Sequence, residues 1–222
     1  MIVLQPRILL PVVAALVFAG LAFVVLSGRD LSFDRSVLLL FRAPSDLATP
    51  LGPPWLREAM RDLTSLGSFA VLGTMLAVAA LMLRACGHGR LAAGLLASVL
   101  GAMLISTLLK IGIGRERPDI VEHAARTFTA SFPSGHAFLS TVVLNGIAGF
   151  VGVASGRADI ARLCAMIAWA LIVTIGVSRI YLGVHWPSDV LGGWCLGLAW
   201  SSLAVALVAR WSATPGGRAE PS

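Results

Sequence analysis

Three short runs of the 222-residue chain hold nearly all of its unusual chemistry. Lys110 is followed by Arg117 and Pro118. Pro133-Ser134-Gly135-His136 comes next, and the third run places Ser178 and Arg179 ahead of His185 and Asp189. Lys110 is the only lysine among 17 Lys and Arg residues. The arginine forks of Arg117 and Arg179 match the oxygens of a phosphoryl group, and Lys110 adds a compact charge. Ser134 stands just before an apolar run, so it is placed to cap a helix whose first N–H groups receive an anion. Gly135 allows that backbone a close approach. His185 and Asp189 lie one helical turn apart. A carboxylate there fixes the imidazole tautomer and stabilises its protonated form, which makes His185 the candidate nucleophile and leaves His136 as the candidate general acid. Cations, two imidazoles and a carboxylate suit phosphoryl transfer in which side chains, not a metal, neutralise the charge.

Such groups need a scaffold, and the composition says which kind. Hydrophobic residues make up 57% of the chain and charged ones 13%, with a mean hydropathy of +0.87. Soluble domains run at roughly 45–50% and about 25%. A disordered chain, a disulfide-stapled secreted mini-protein and most soluble enzymes are excluded; a helical membrane protein remains. The net charge of +6 does not point to nucleic acid, because the basic residues are spread thinly between apolar blocks. The three cysteines, Cys86, Cys164 and Cys195, form neither a disulfide framework nor a metal motif.

Six apolar stretches are long enough to cross a bilayer: Ile8–Ser27, Leu63–Leu83, Leu91–Ile111, Ala137–Ser155, Ile160–Val177 and Asp189–Ala209. The fold class expected is all-α, an integral-membrane bundle of six helices, with a short interfacial helix near Trp55–Asp62 after the first span. Residues 1–212 form this unit and 213–222 a disordered tail. The first span reads as an uncleaved anchor. Gly146, Gly149 and Gly152 of the fourth span and Gly192, Gly193 and Gly197 of the sixth suggest close helix packing. Arginine density in the short loops puts both termini in the cytoplasm, so that all three polar runs meet at the outer face.

With those residues in hand, the chain resembles the type 2 phosphatidic acid phosphatase (PAP2) superfamily of membrane lipid phosphatases. Its signature, K-x6-RP, PSGH and SR-x5-H-x3-D, is matched at every position and in order by Lys110, Arg117, Pro118, Pro133 to His136, Ser178, Arg179, His185 and Asp189. The resemblance implies that His185 forms a phosphohistidine and is oriented by Asp189. It implies that His136 protonates the leaving oxygen, and that Lys110, Arg117, Ser134, Gly135 and Arg179 hold the phosphate. No cofactor and no metal is implied. The partner is a phosphorylated lipid within the bilayer, the setting a bacterial inner membrane with the site at its periplasmic face, and the oligomeric state is left open. Undecaprenyl diphosphate is the favoured substrate, with phosphatidic acid, phosphatidylglycerophosphate or lipid A as alternatives.

Blander readings compete at each residue taken singly. Lys110 and Arg117 alone resemble snorkelling helix-end cations, His185 with Asp189 half a metal site, and Ser134 a plain cap. Arg115 is a further candidate for phosphate, while Tyr181 and Trp186 read as interfacial anchors and His88 and His123 as solvated. A non-catalytic lipid-binding or transport protein is the alternative class; charges at midplane depth would mark a transporter, and loss of a histidine or Asp189 a dead enzyme.

Overall fold

The computed structural model describes residues 6–29, 31–119 and 129–213. His123 and the tail from residue 214 onward lie outside them. In chain order the elements are α1 (Pro6–Leu26), α2 (Ser32–Leu39), β1 (Arg42–Ala43), β2 (Asp46–Pro50), α3 (Pro54–Ser65), α4 (Phe69–Ala85), α5 (Gly89–Ile113), α6 (Gly135–Ser155), α7 (Ala158–Tyr181) and α8 (Pro187–Ser212). Among the described residues five helices, α1 and α5 to α8, are long and apolar enough to cross a membrane, and α3 with α4 makes a sixth when the bent pair counts as one span. The protein is therefore an all-α, multi-pass membrane bundle.

The second span differs from its expected limits. Hydropathy places it at Leu63–Leu83, but the chain bends by 45° between α3 and α4. Ser68 takes an extended backbone and its hydroxyl accepts from Val71 N at 3.3 Å, starting a new helix at Phe69. Leu63, Thr64 and Ser65 thus belong to α3, the interfacial helix expected near Trp55–Asp62. The same segment also holds α2 and a small antiparallel hairpin, with Arg42 opposite Pro50 and Ala43 opposite Asp46, neither of which was anticipated.

Helix α6 is the centre of the bundle, packed on α7 and α8, and Phe138, Val142, Ile172 and Ile175 are wholly buried there. Between apolar helices in lipid, association rests on van der Waals fit more than on water exclusion, so small residues matter. Gly193 and Gly197 let α8 lie against the backbone of α6: a Cβ on Gly193 would stand 2.9 Å from Ser134 O, and one on Gly197 3.0 Å from Phe138 O. By contrast α1 presents Leu10, Leu16 and Phe23 outward, as a helix bathed in lipid does.

The segment between the first two spans clasps the end of α7. Arg42 donates to Tyr181 O at 2.9 Å, a cation at a helix C-terminus where the backbone carbonyls favour it. Tyr181 is buried rather than an interfacial anchor; its hydroxyl donates to Leu51 O at 2.8 Å and its ring meets Phe41 edge-on. The reason is that the hairpin covers the helix end which hydropathy alone would leave at the membrane surface.

Candidate active site

Helices α5 to α8 alternate in direction, so the end of α5, the start of α6, the end of α7 and the start of α8 share one end of the bundle. Those are the places that hold the three polar runs. Lys110 lies in the last turn of α5 and donates to Ala130 O at 2.7 Å and Thr129 Oγ1 at 3.3 Å. After Gly114, whose φ of 63° ends α5 in the left-handed region, Arg117 reaches Thr129 O at 3.0 Å and Val184 O at 2.5 Å. Arg179, in the last turn of α7, is buried and donates to Thr64 Oγ1 at 2.9 Å. Ser134 N donates to Asp189 O at 3.0 Å, tying the start of α6 to the start of α8.

His185 is 2% exposed, and its two nitrogens face opposite charges. Nδ1 is 3.3 Å from Asp189 Oδ2, and Nε2 is 3.3 Å from Arg117 Nη1. A carboxylate only accepts and a guanidinium only donates, so both contacts require the same tautomer: the proton on Nδ1, the lone pair on Nε2. Burial pushes the imidazole from 6.5 down to about 3; Asp189 pulls the other way, and Arg117 and Arg179 add to the fall. The ring is neutral at pH 7, the form in which Nε2 keeps its lone pair. Burial likewise holds Arg117 below its usual value, with Asp189 opposing.

Asp189 is fully buried at N3 of α8. Its Oδ2 accepts from Trp186 N at 2.9 Å, the backbone half of a capping box, and from Ser131 Oγ. Ser131 also lies 3.4 Å from His185 Nδ1. Asp189 Oδ1 accepts from Arg115 Nη1 at 2.5 Å. Arg115, a candidate for phosphate by sequence, is committed instead to carboxylates: its Nη2 donates to Asp34 at 2.7 Å. Ser134 sits at the N-cap position of α6, but its hydroxyl caps nothing. Both Ser134 Oγ and Arg179 Nε are buried without a hydrogen-bond partner among the described residues. His136 is half-buried in the first turn of α6, walled by Gly67, where a Cβ would stand 3.0 Å from its Cδ2.

The structure thus brings all eight candidates, Lys110, Arg117, Ser134, Gly135, His136, Arg179, His185 and Asp189, to one end of the bundle. Sequence reasoning missed Thr64, Ser131 and Asp34. Ser131 stands beside the PSGH run and offered a weak signal, while Thr64 and Asp34 reach the site from the first interspan segment and offered none.

A bundle of membrane-length helices with fixed cations and a neutral buried histidine at one end is, by class, a membrane-bound phosphoryl-transfer protein. The PAP2 superfamily profile matches residues 91–213, and the chain belongs to that superfamily of phosphatases. Phosphatidylglycerophosphatase B of Bacillus subtilis (strain 168) is 32% identical over 193 residues, covering 85% of this chain and 89% of that relative. Undecaprenyl-diphosphatase of Sulfolobus acidocaldarius is 35% identical over 79 residues, covering 34% of this chain and 32% of that relative. The crystal structure of a transmembrane PAP2-type phosphatidylglycerolphosphate phosphatase from Bacillus subtilis superposes with a TM-score of 0.74 at 27% identity, over 93% of this chain and 98% of that one.

Proposed function

We propose that this phosphatase cleaves the phosphate of a membrane lipid through a phosphohistidine on His185 Nε2. The observation that carries this reading is that the end of the bundle holding this lone pair also holds Ser134 Oγ and Arg179 Nε, buried and without a hydrogen-bond partner among the described residues. Polar atoms left unsatisfied in a buried site call for a ligand, and three neighbouring cations make it an anion. An entering phosphoryl group accepts the donors of Arg117, Arg179, Lys110, Ser134 and the Gly135 amide, which draws Arg117 away from Nε2. His185 Nε2 then bonds to phosphorus while the P–O bond to the lipid breaks and His136 protonates the leaving oxygen. Asp189 stabilises the positive imidazole ring. In the second half, water attacks phosphorus, gives its proton to His136, and the P–N bond breaks to release inorganic phosphate.

For the substrate, the relative aligned over most of the chain favours the phosphomonoester of phosphatidylglycerophosphate. Undecaprenyl diphosphate, the expectation from sequence, is the second reading, supported by the shorter alignment to an undecaprenyl-diphosphatase. Arginine density in the short loops supports cytoplasmic termini and a site at the outer face of a bacterial inner membrane.

The test is phosphate release by the purified protein in detergent with EDTA, from both lipids and phosphatidic acid in parallel, beside His185→Ala. Release by wild type alone supports the reading. Near wild-type turnover by His185→Ala removes that residue as nucleophile, and loss of wild-type activity with EDTA would make the reaction metal-dependent.

A further inference from the structure

We infer that Asp34, from α2 and outside the residues matched by the superfamily profile, is a positioning residue for the nucleophile: through Arg115 and Ser188 it holds the Asp189 carboxylate against His185 and keeps its charge free for the imidazolium. The inference rests on the phosphohistidine reading for its effect on turnover. Its geometry stands apart from that reading.

Asp34 is 2% exposed, on a short helix of the first interspan segment. A buried carboxylate persists only when its oxygens are paired, and here each is. Oδ1 accepts from Ser188 N at 2.7 Å; Oδ2 accepts from Ser188 Oγ at 2.5 Å and from Arg115 Nη2 at 2.7 Å. The other Arg115 nitrogen, Nη1, donates to Asp189 Oδ1 at 2.5 Å and to Ser188 Oγ at 2.7 Å. One guanidinium therefore bridges two carboxylates, with the Ser188 hydroxyl between them, and its Cζ lies over the Trp186 ring, 5.8 Å from the centroid.

The charge count gives this bridge its meaning. Asp34, Arg115 and Asp189 together carry one net negative charge, and the only member touching His185 is Asp189. When the imidazole becomes positive, that remaining charge opposes it. Without Asp34 the cation of Arg115 would be matched by Asp189 alone. The pair would then be neutral, and Asp189 would offer the developing imidazolium much less. Arg115 would also lose the second anchor that fixes its fork, and with it the aim of Asp189 Oδ2 at Nδ1. Among the described residues the hydrogen bonds of Asp34 and Arg115 run to Ser188, Asp189 and each other, not to Ser134, Arg179 or His185, so substrate affinity should not depend on them. A merely structural Asp34, capping the start of α8 through Ser188 N, would instead affect stability and leave the ring untouched.

The experiment compares wild type, Asp34→Asn and Asp34→Glu in detergent, with two readouts. Steady-state phosphate release is expected to show kcat reduced about 10–100-fold in Asp34→Asn with KM unchanged, the range found for outer partners that orient metal-bound histidines, and partial recovery in Asp34→Glu. Nitrogen-15 NMR of labelled histidine, assigned with His185→Gln, needs no substrate. Wild type is expected to show a single Nδ1-protonated form of His185, and Asp34→Asn a mixture of tautomers. An unchanged ring signal with unchanged kcat in Asp34→Asn overturns the inference, as does a fall confined to stability. If wild type releases phosphate from no lipid, the phosphohistidine reading fails, and the ring signal alone decides for or against Asp34. Should Asp34→Asn not fold, Arg115→Gln replaces it: with the fork that aims Asp189 removed, the ring signal is expected to show a mixture of tautomers, and a single Nδ1-protonated form there overturns the inference equally.

Discussion

Replacing Gly193 by alanine tests whether the contact between α6 and α8 sets the geometry of the site. A Cβ on Gly193 would stand 2.9 Å from Ala137 Cβ, 2.9 Å from Ser134 O and 3.0 Å from Phe138 N. Two of those atoms are backbone, so no rotamer relieves the clash and the helices themselves must part. Reaching ordinary contact at 3.4 Å from 2.9 Å demands a shift of 0.5 Å. Overpacking of this kind costs ~1–3 kcal/mol. The gain in helix propensity from glycine to alanine returns about 1 kcal/mol. The net loss of ~0–2 kcal/mol corresponds to a fall of only a few degrees in the unfolding midpoint, at about 2–4 °C per kcal/mol. Activity should suffer more. Ser134 rides on α6 while Asp189 rides on α8, and a misplacement of ~1 Å costs about 100-fold in rate. Half that shift should cost roughly tenfold. Phosphate release and thermal unfolding, both in detergent, measure the two effects. Gly20→Ala on α1, where a Cβ meets nothing within 4 Å, is the control expected to leave both unchanged. Gly193→Ala with wild-type kcat and midpoint would refute the claim that this contact positions the site.

Other outcomes follow from the same geometry. Asp189→Asn removes the acceptor facing His185 Nδ1 and should lower kcat by about 10⁴, as loss of a histidine-orienting carboxylate does; an unchanged rate would leave Asp189 as a helix-start residue. Arg179→Lys replaces a fork by a point charge and should raise KM, lower kcat, or both; steady-state kinetics in which neither moves would take Arg179 off the phosphate. The folded His185 ring takes up a proton only near pH 3, whereas the unfolded ring does so near 6.5. The unfolded state therefore binds more protons between those values, so this group's contribution is intact above pH 6.5 and stability declines as pH falls below it, by about 1.4 kcal/mol per unit. Midpoints measured from pH 7 to pH 5 should fall less steeply in His185→Gln than in wild type.

The signature residues were legible because each lies in a short run whose spacing keeps its meaning whatever the tertiary structure. Asp189 follows His185 by one helical turn, and Ser134 precedes an apolar stretch. Asp34 was not legible for the opposite reason. Its partner Ser188 lies 154 residues away, and in sequence it is one acid in a polar stretch. Thr64 is likewise joined to Arg179 across 115 residues. Hydropathy found the helices but not the break at Ser68, because a window averages over a bend that one side chain creates. Tyr181 was misjudged because composition places an aromatic near a membrane end without saying whether another segment covers it.

One feature of the first interspan segment bears on how the protein matures. Three of its residues reach elements that the ribosome makes much later: Asp34 binds Ser188, Arg42 binds Tyr181 and Thr64 binds Arg179. Membrane helices insert before they associate. The early segment must therefore wait, with its carboxylate and guanidinium still hydrated, until the last two spans arrive beside it. Insertion alone leaves Asp34, Arg42 and Thr64 without these partners, and chains truncated before α8 have nothing for Asp34 to hold.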